Sequence, residues 1–213
     1  MENKNVSSKS GKNKSGKSTT GKSQSGSGMQ KFSDNDNENT LNKVFEKLLK
    51  DIYATELELV EALPKVMEAA HEEDFEDAVR DHLEETKRQV KRLEKIFTQM
   101  RIDKNDSESS EPISSLVEET TKIIDEFESG PVRDSALIIC AQKIEHYEIA
   151  AYGSLRTLAD VMGMEQVGDV LDRSLEEEKA ADEMLSELAE EINDMAMEFS
   201  GEEYENQPWS GRE

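Results

Sequence analysis

The chain has 213 residues, a formal net charge of −23 and a hydrophobic fraction of 34%, enough at this length for one packed domain plus tails. Its longest apolar run, Ala136 to Ala141, falls far short of the roughly 18 residues that span a bilayer, and the lone Cys140 excludes an internal disulfide, so a soluble, cytoplasmic protein is expected. The charge is uneven: residues 1–33 carry seven Lys against Glu2, a local +6, which leaves −29 on a body that should repel nucleic acid and membrane surfaces and attract cations.

Residues 1–40 are mostly Ser, Gly, Lys and Asn, with a loose repeat in Ser10-Gly11-Lys12, Ser15-Gly16-Lys17 and Thr20-Gly21-Lys22, and read as a disordered basic tail. The repeat matches the phosphate-loop pattern from Gly11 to Ser18 and again from Gly16 to Ser23. It lacks the strand and the helix that such a loop joins, so both matches are empty. A basic arm of this kind can still bind polyanions weakly through its lysines.

The body, residues 41–199, is read as helical throughout, because Glu, Lys, Leu and Ala dominate it and apolar residues recur every three or four positions. The first helix runs from near Thr40 to about Leu63, where Pro64 is expected to kink or end it. A second spans Phe75 to Met100, and a charged loop from Arg101 to Pro112 leads into a short amphipathic crossover helix, Ile113 to Phe127. After the break at Ser129-Gly130-Pro131 a third long helix covers Val132 to Met162, and beyond Gly163 a fourth covers Glu165 to Phe199. Residues 200–213 form a polar C-terminal tail in which Tyr204 and Trp209 either dock or stay free.

Acidic residues interrupt the apolar stripe of every long helix. Stepping by three and four gives Ile138, Ala141, Glu145, Glu148 and Tyr152 on the third, and puts Glu56 between Ile52 and Leu59 on the first. Glu85 lies on an inner strip of the second helix with His82 and Gln89, and Glu178 and Asp182 lie in the stripe of the fourth. A buried carboxylate without a partner costs several kcal/mol, so the set demands compensation. Two divalent cations bridged by carboxylates would supply it; the alternative is a hydrated or salt-bridged polar seam. His82 is either a ligand or a hydrogen-bonded core imidazole, and His146, rotated off this face, is read as a packing or dimer contact.

Four separated motifs, Asp51-Ile52-Tyr53-Ala54-Thr55-Glu56, His82-Leu83-Glu84-Glu85-Thr86, Gln142 to Gly153 and Glu176 to Glu183, resemble the YciE/YciF family of ferritin-like proteins over roughly residues 41–195. The resemblance implies an all-α, ferritin-like four-helix bundle with an extra short crossover helix, a homodimer, and a role in bacterial stress. Beside a rubrerythrin-type di-iron site, Glu56, Glu85, Glu145 with Glu148, and Glu178 have counterparts. The usual Glu-x-x-His of the second helix does not, since Arg88 stands three after Glu85. By that analogy Glu85 and Glu178 bridge two ions, Glu56 and Glu145 cap them, and Glu148, Asp182 or His82 complete the shells. An oxygen-rich set suits Mn²⁺, Mg²⁺ or Ca²⁺ as readily as Fe²⁺. The expected function is a stress-associated dinuclear Fe or Mn protein reacting with peroxide or dioxygen. The alternatives are a non-catalytic dimeric helical scaffold and a protein tethered to a polyanion by its Lys-rich arm.

Overall fold

The three- and four-residue apolar spacing is realised as five helices: α1 Leu41–Ala69, α2 Glu73–Met100, α3 Glu111–Glu126, α4 Pro131–Val161 and α5 Glu165–Ser200. The computed structural model describes residues 40–107 and 111–201, and among these there is no strand and no helix long and apolar enough to cross a membrane. Apart from Thr40, Ser200 and Gly201, the two expected tails, with their phosphate-loop matches and with Tyr204 and Trp209, lie outside the described residues.

Short connections at residues 70–72 and 162–164 join α1 to α2 and α4 to α5 as helical hairpins. A long crossover, containing a 3-10 turn at Lys104–Asp106 and then α3, links the hairpins. The hairpins pack through α1 on α4 and α2 on α5, while α3 lies across α1 and α4. This is a ferritin-like four-helix bundle with an extra short crossover helix.

Local chemistry sets the helix ends. The Thr40 hydroxyl accepts from the Lys43 N–H at 3.3 Å and caps α1. Pro131 opens α4 at a position where its missing N–H costs nothing, and Gly163, at φ 70, makes the left-handed turn between α4 and α5. Of the two outcomes expected at Pro64, a kink or an end, the end is ruled out: α1 continues past Leu63 to Ala69. Pro64 sits on the exposed face, where the carbonyl it strips of a partner can be hydrated, and the extra turn buries Val66 and Ala69.

Glu72 gives α2 no side-chain cap. The buried Asp134 of α4 does that work from across the bundle, accepting from the backbone N–H of His71 at 2.9 Å and of Glu72 at 2.8 Å. Arg133, next to it, donates to the Ala69 carbonyl, so both sides of the α1–α2 turn are held by the first turn of α4.

The apolar core is divided. Phe45, Leu49, Ile52, Leu93, Phe97, Leu155 and Leu171 fill one end of the bundle, and Val66, Phe75, Val79, Leu137, Leu185 and Ile192 fill the other. A third cluster, Leu59, Ile113 and Ile144, lies under α3. Between the two ends every long helix turns polar groups inward.

Candidate metal centre

On α4, Glu145, Glu148 and Tyr152 follow one another at three and four residues and therefore share the inner face. Glu56 of α1 and Glu178 of α5 take the positions where their stripes would otherwise carry an apolar residue, and both are fully buried. His82 and Gln89, two turns apart on α2, complete the layer. One ligand atom each from His82, Glu145, Glu148 and Glu178 lies within 4.8 Å of all the others.

Hydrogen bonds satisfy only part of this layer. Tyr152 donates its phenol proton to Glu56 Oε1, Gln89 Nε2 donates to Glu178 Oε1, and His82 Nε2 stands 3.3 Å from Glu145 Oε1. Left without a partner outside the carboxyl groups themselves are Glu56 Oε2, His82 Nδ1, Gln89 Oε1, Glu145 Oε2, Glu178 Oε2, Asp182 Oδ1 and both oxygens of Glu148, whose exposure is only 1%, while a proton on Glu145 or Glu178 would join those two acids. Native interiors hold only a few such atoms, scattered through the fold, so this concentration in one layer calls for a ligand or for protons.

The electrostatics agree. Burial pushes the carboxyl groups of Glu56, Glu145 and Glu148 well above the ordinary range, and their mutual repulsion with Glu178 adds to it. Glu178 is pushed up to about 8, first by burial and then by the neighbouring Glu177. Burial lowers His82 to about 4. The His82–Glu145 distance is that of an ion pair, but burial opposes both charges, so without metal the contact joins a neutral imidazole to a protonated acid. The Tyr152 phenol is raised well above its usual value by burial and by Glu56, which keeps it a proton donor.

Two of the sequence-derived candidates sit at the rim. Glu85, expected to bridge, is 32% exposed and accepts from Arg88 Nη2 at 3.3 Å. It lies about 60° around the helix from His82. Thr86, fully buried and bonded to the His82 carbonyl, occupies the inner position instead. Asp182 is 23% exposed and stands 3.1 Å from His146 Nε2, and His146 is itself 67% exposed. The structure thus brings together His82, Glu145, Glu148 and Glu178, sets Glu56 against them, leaves Glu85 at the rim, and keeps Asp182 beside Glu145 with a buried, unpartnered Oδ1.

The site also has supports not picked out from the sequence. Gln89 stands on the inner strip of α2 and Glu178 in the stripe of α5, but the bond between them is not legible in the sequence. Arg92, one turn further along α2, binds Glu177 at 2.6 and 2.7 Å and Ser174 at 2.7 Å, locking α2 to α5 beside the cluster. Its position three residues after Gln89 was the available signal, an arginine near the inner face of an acidic protein.

The donor set fits a divalent metal. Four carboxylates and one imidazole are hard oxygen ligands with one nitrogen, a combination suited to Fe²⁺ or Mn²⁺, and the unpartnered oxygens are the atoms a cation would use.

A family model described as a domain of unknown function, DUF892, matches residues 40–198. Protein YciF of Escherichia coli strain K12 is 40% identical over 153 residues, spanning 72% of this chain and 92% of that protein. The crystal structure of the E. coli stress protein YciF superposes with a TM-score of 0.70 at 39% identity, covering 73% of this chain and 98% of that one. YcfI of Rhodopseudomonas palustris gives a TM-score of 0.67 at 34% identity, over 73% of this chain and 98% of its own. A Xanthomonas campestris protein shares the fold at a TM-score of 0.60 and 20% identity, over 76% of this chain and all of its own. With most of its helical body matched in sequence and in structure, the chain belongs to the YciF-like DUF892 family.

Proposed function

We propose that the buried layer is a carboxylate-rich dinuclear centre for Fe²⁺ or Mn²⁺, and that the protein serves in the stress response, as its E. coli relative is described. The observation that carries this reading is Glu148, fully enclosed with neither carboxylate oxygen partnered. Glu56, Glu145, Glu148 and Glu178 would together bring four negative charges, which two divalent ions neutralise. His82 would add the one nitrogen ligand. Such a centre, when loaded, supplies redox and Lewis-acid chemistry toward peroxide or dioxygen.

The protein's own residues prepare the site. Gln89 and Tyr152 each hold one oxygen of Glu178 and Glu56, orienting these carboxylates and leaving the second oxygen of each available. Arg92 fixes α2 against α5, and an apolar cluster closes each end of the layer. Tyr152, whose phenol burial and the neighbouring acids hold protonated, donates a lasting hydrogen bond to Glu56.

A polar seam that shares protons is the competing reading, and the raised carboxyl groups favour it in the absence of metal. Metal content distinguishes the two. Protein purified without chelator should carry about two Fe or Mn per chain, and stripped protein should gain several degrees in melting temperature when Mn²⁺ is added. Stripped protein that takes up no metal and gains no stability would leave the proton-sharing seam.

A further inference from the structure

A cavity of about 180 Å³ opens beside the acidic layer, and neither the fold nor the metal reading accounts for it. Its walls come mainly from Leu59, Val66, Leu137, Ile144 and Leu185, contributed by α1, α4 and α5. The buried lining includes His82 and Glu145, each of which carries a side-chain atom without a hydrogen-bond partner. The outer lining includes the exposed Asp81, Ala180 and Met184, the last 48% exposed, so the cavity reaches the surface between α2 and α5.

The space is made by small residues. Ala78, Ala141 and Ala181 line it with short side chains that leave the space open. Close-packed interiors keep few voids larger than a water molecule, because each void forfeits contacts that would stabilise the fold. A cavity this size, walled by aliphatic side chains and ending on an imidazole and a carboxyl group, therefore points to an occupant.

We propose that this cavity binds a small molecule with an apolar body of about benzene size and one hydroxyl group, seated with the hydroxyl toward His82 and Glu145. Size selects the class. At about 180 Å³ the cavity lies below the roughly 300 Å³ where pockets for drug-sized ligands begin, and near the ~150 Å³ apolar cavity known to take up benzene. Chemistry selects the hydroxyl, which both donates and accepts and so matches either group in either protonation state. As a substrate pocket for the acidic layer the cavity rests on the metal reading; as a binding site it does not.

Phenol is the probe, titrated by calorimetry into the full-length chain stripped of metal. The expected result is saturable one-to-one binding, weakened at least about tenfold, the equivalent of ~1.4 kcal/mol, in both Ala141→Leu and Ala181→Leu, which fill the cavity. Should either variant fail to fold, methyl resonances of the wild-type chain decide instead: Leu59, Leu137 and Leu185 should shift with phenol, while Leu49 and Leu155 at the far end stay fixed. Non-saturable binding, binding unchanged by both substitutions, or shifts spread over the whole bundle would overturn the proposal. Metal content is read separately, so phenol binding by a chain that takes up no metal would sustain the cavity and defeat the metal centre, and the converse result would do the reverse.

Discussion

The two helical hairpins feed the same layer unequally. The α4–α5 hairpin brings Glu145, Glu148 and Glu178 fully inside, whereas α1–α2 brings Glu56, a histidine and an amide, and keeps Glu85 at the rim. The charge of the centre is therefore borne mainly by one hairpin, and the other supplies orientation through Gln89, Arg92 and the neutral His82. A site built this way needs the hairpins held in register, which explains why Asp134 and Arg133 of α4 grip the α1–α2 turn.

That asymmetry breaks most visibly in metal affinity. Glu148→Gln or Glu178→Gln should weaken Mn²⁺ binding by ~100-fold or more, measured by calorimetry on stripped protein, and equal losses from Glu85→Gln would restore the symmetric picture.

The next effect is on pH. In stripped protein Glu178 holds its proton up to about 8, where the unfolded chain releases it near 4.5, so the folded state loses stability as pH rises through that window. His82, lowered to about 4 from an ordinary 6.5, acts in the opposite sense but only between those two values. From pH 6.5 to 8 the carboxyl groups act alone, and stability should fall by a few kcal/mol in urea denaturation. Saturating Mn²⁺ should flatten or invert this slope, because the metal displaces the protons.

Asp134→Ala tests the joint between the hairpins. It strips two part-buried backbone N–H groups of their carboxylate acceptor and should cost ~1–2 kcal/mol by urea denaturation, with metal affinity falling in parallel if register matters. The smallest effect is expected at the rim: Glu85→Ala, whose partner Arg88 is 53% exposed, should change stability by less than about 0.5 kcal/mol.

The helices and the inward placement of Glu56, Glu145, Glu148 and Glu178 were legible because period and burial are local properties of each stripe. Which of His82 and Glu85 turns inward was not, since both lie near the inner strip and the choice depends on the buried face centring on His82, Thr86 and Gln89. The continuation of α1 through Pro64 was hidden for a similar reason: it depends on burial of Val66 and Ala69 against distant residues. Asp134 and Arg92 act on partners more than sixty residues away, beyond the reach of any local pattern.

The central claim is tested most directly by anomalous scattering from crystals grown without chelator. Two peaks among Glu56, His82, Glu145, Glu148 and Glu178, rising at the iron or manganese edge, are the predicted result. Well-ordered side chains with no anomalous signal, even after soaking in Mn²⁺, would contradict it.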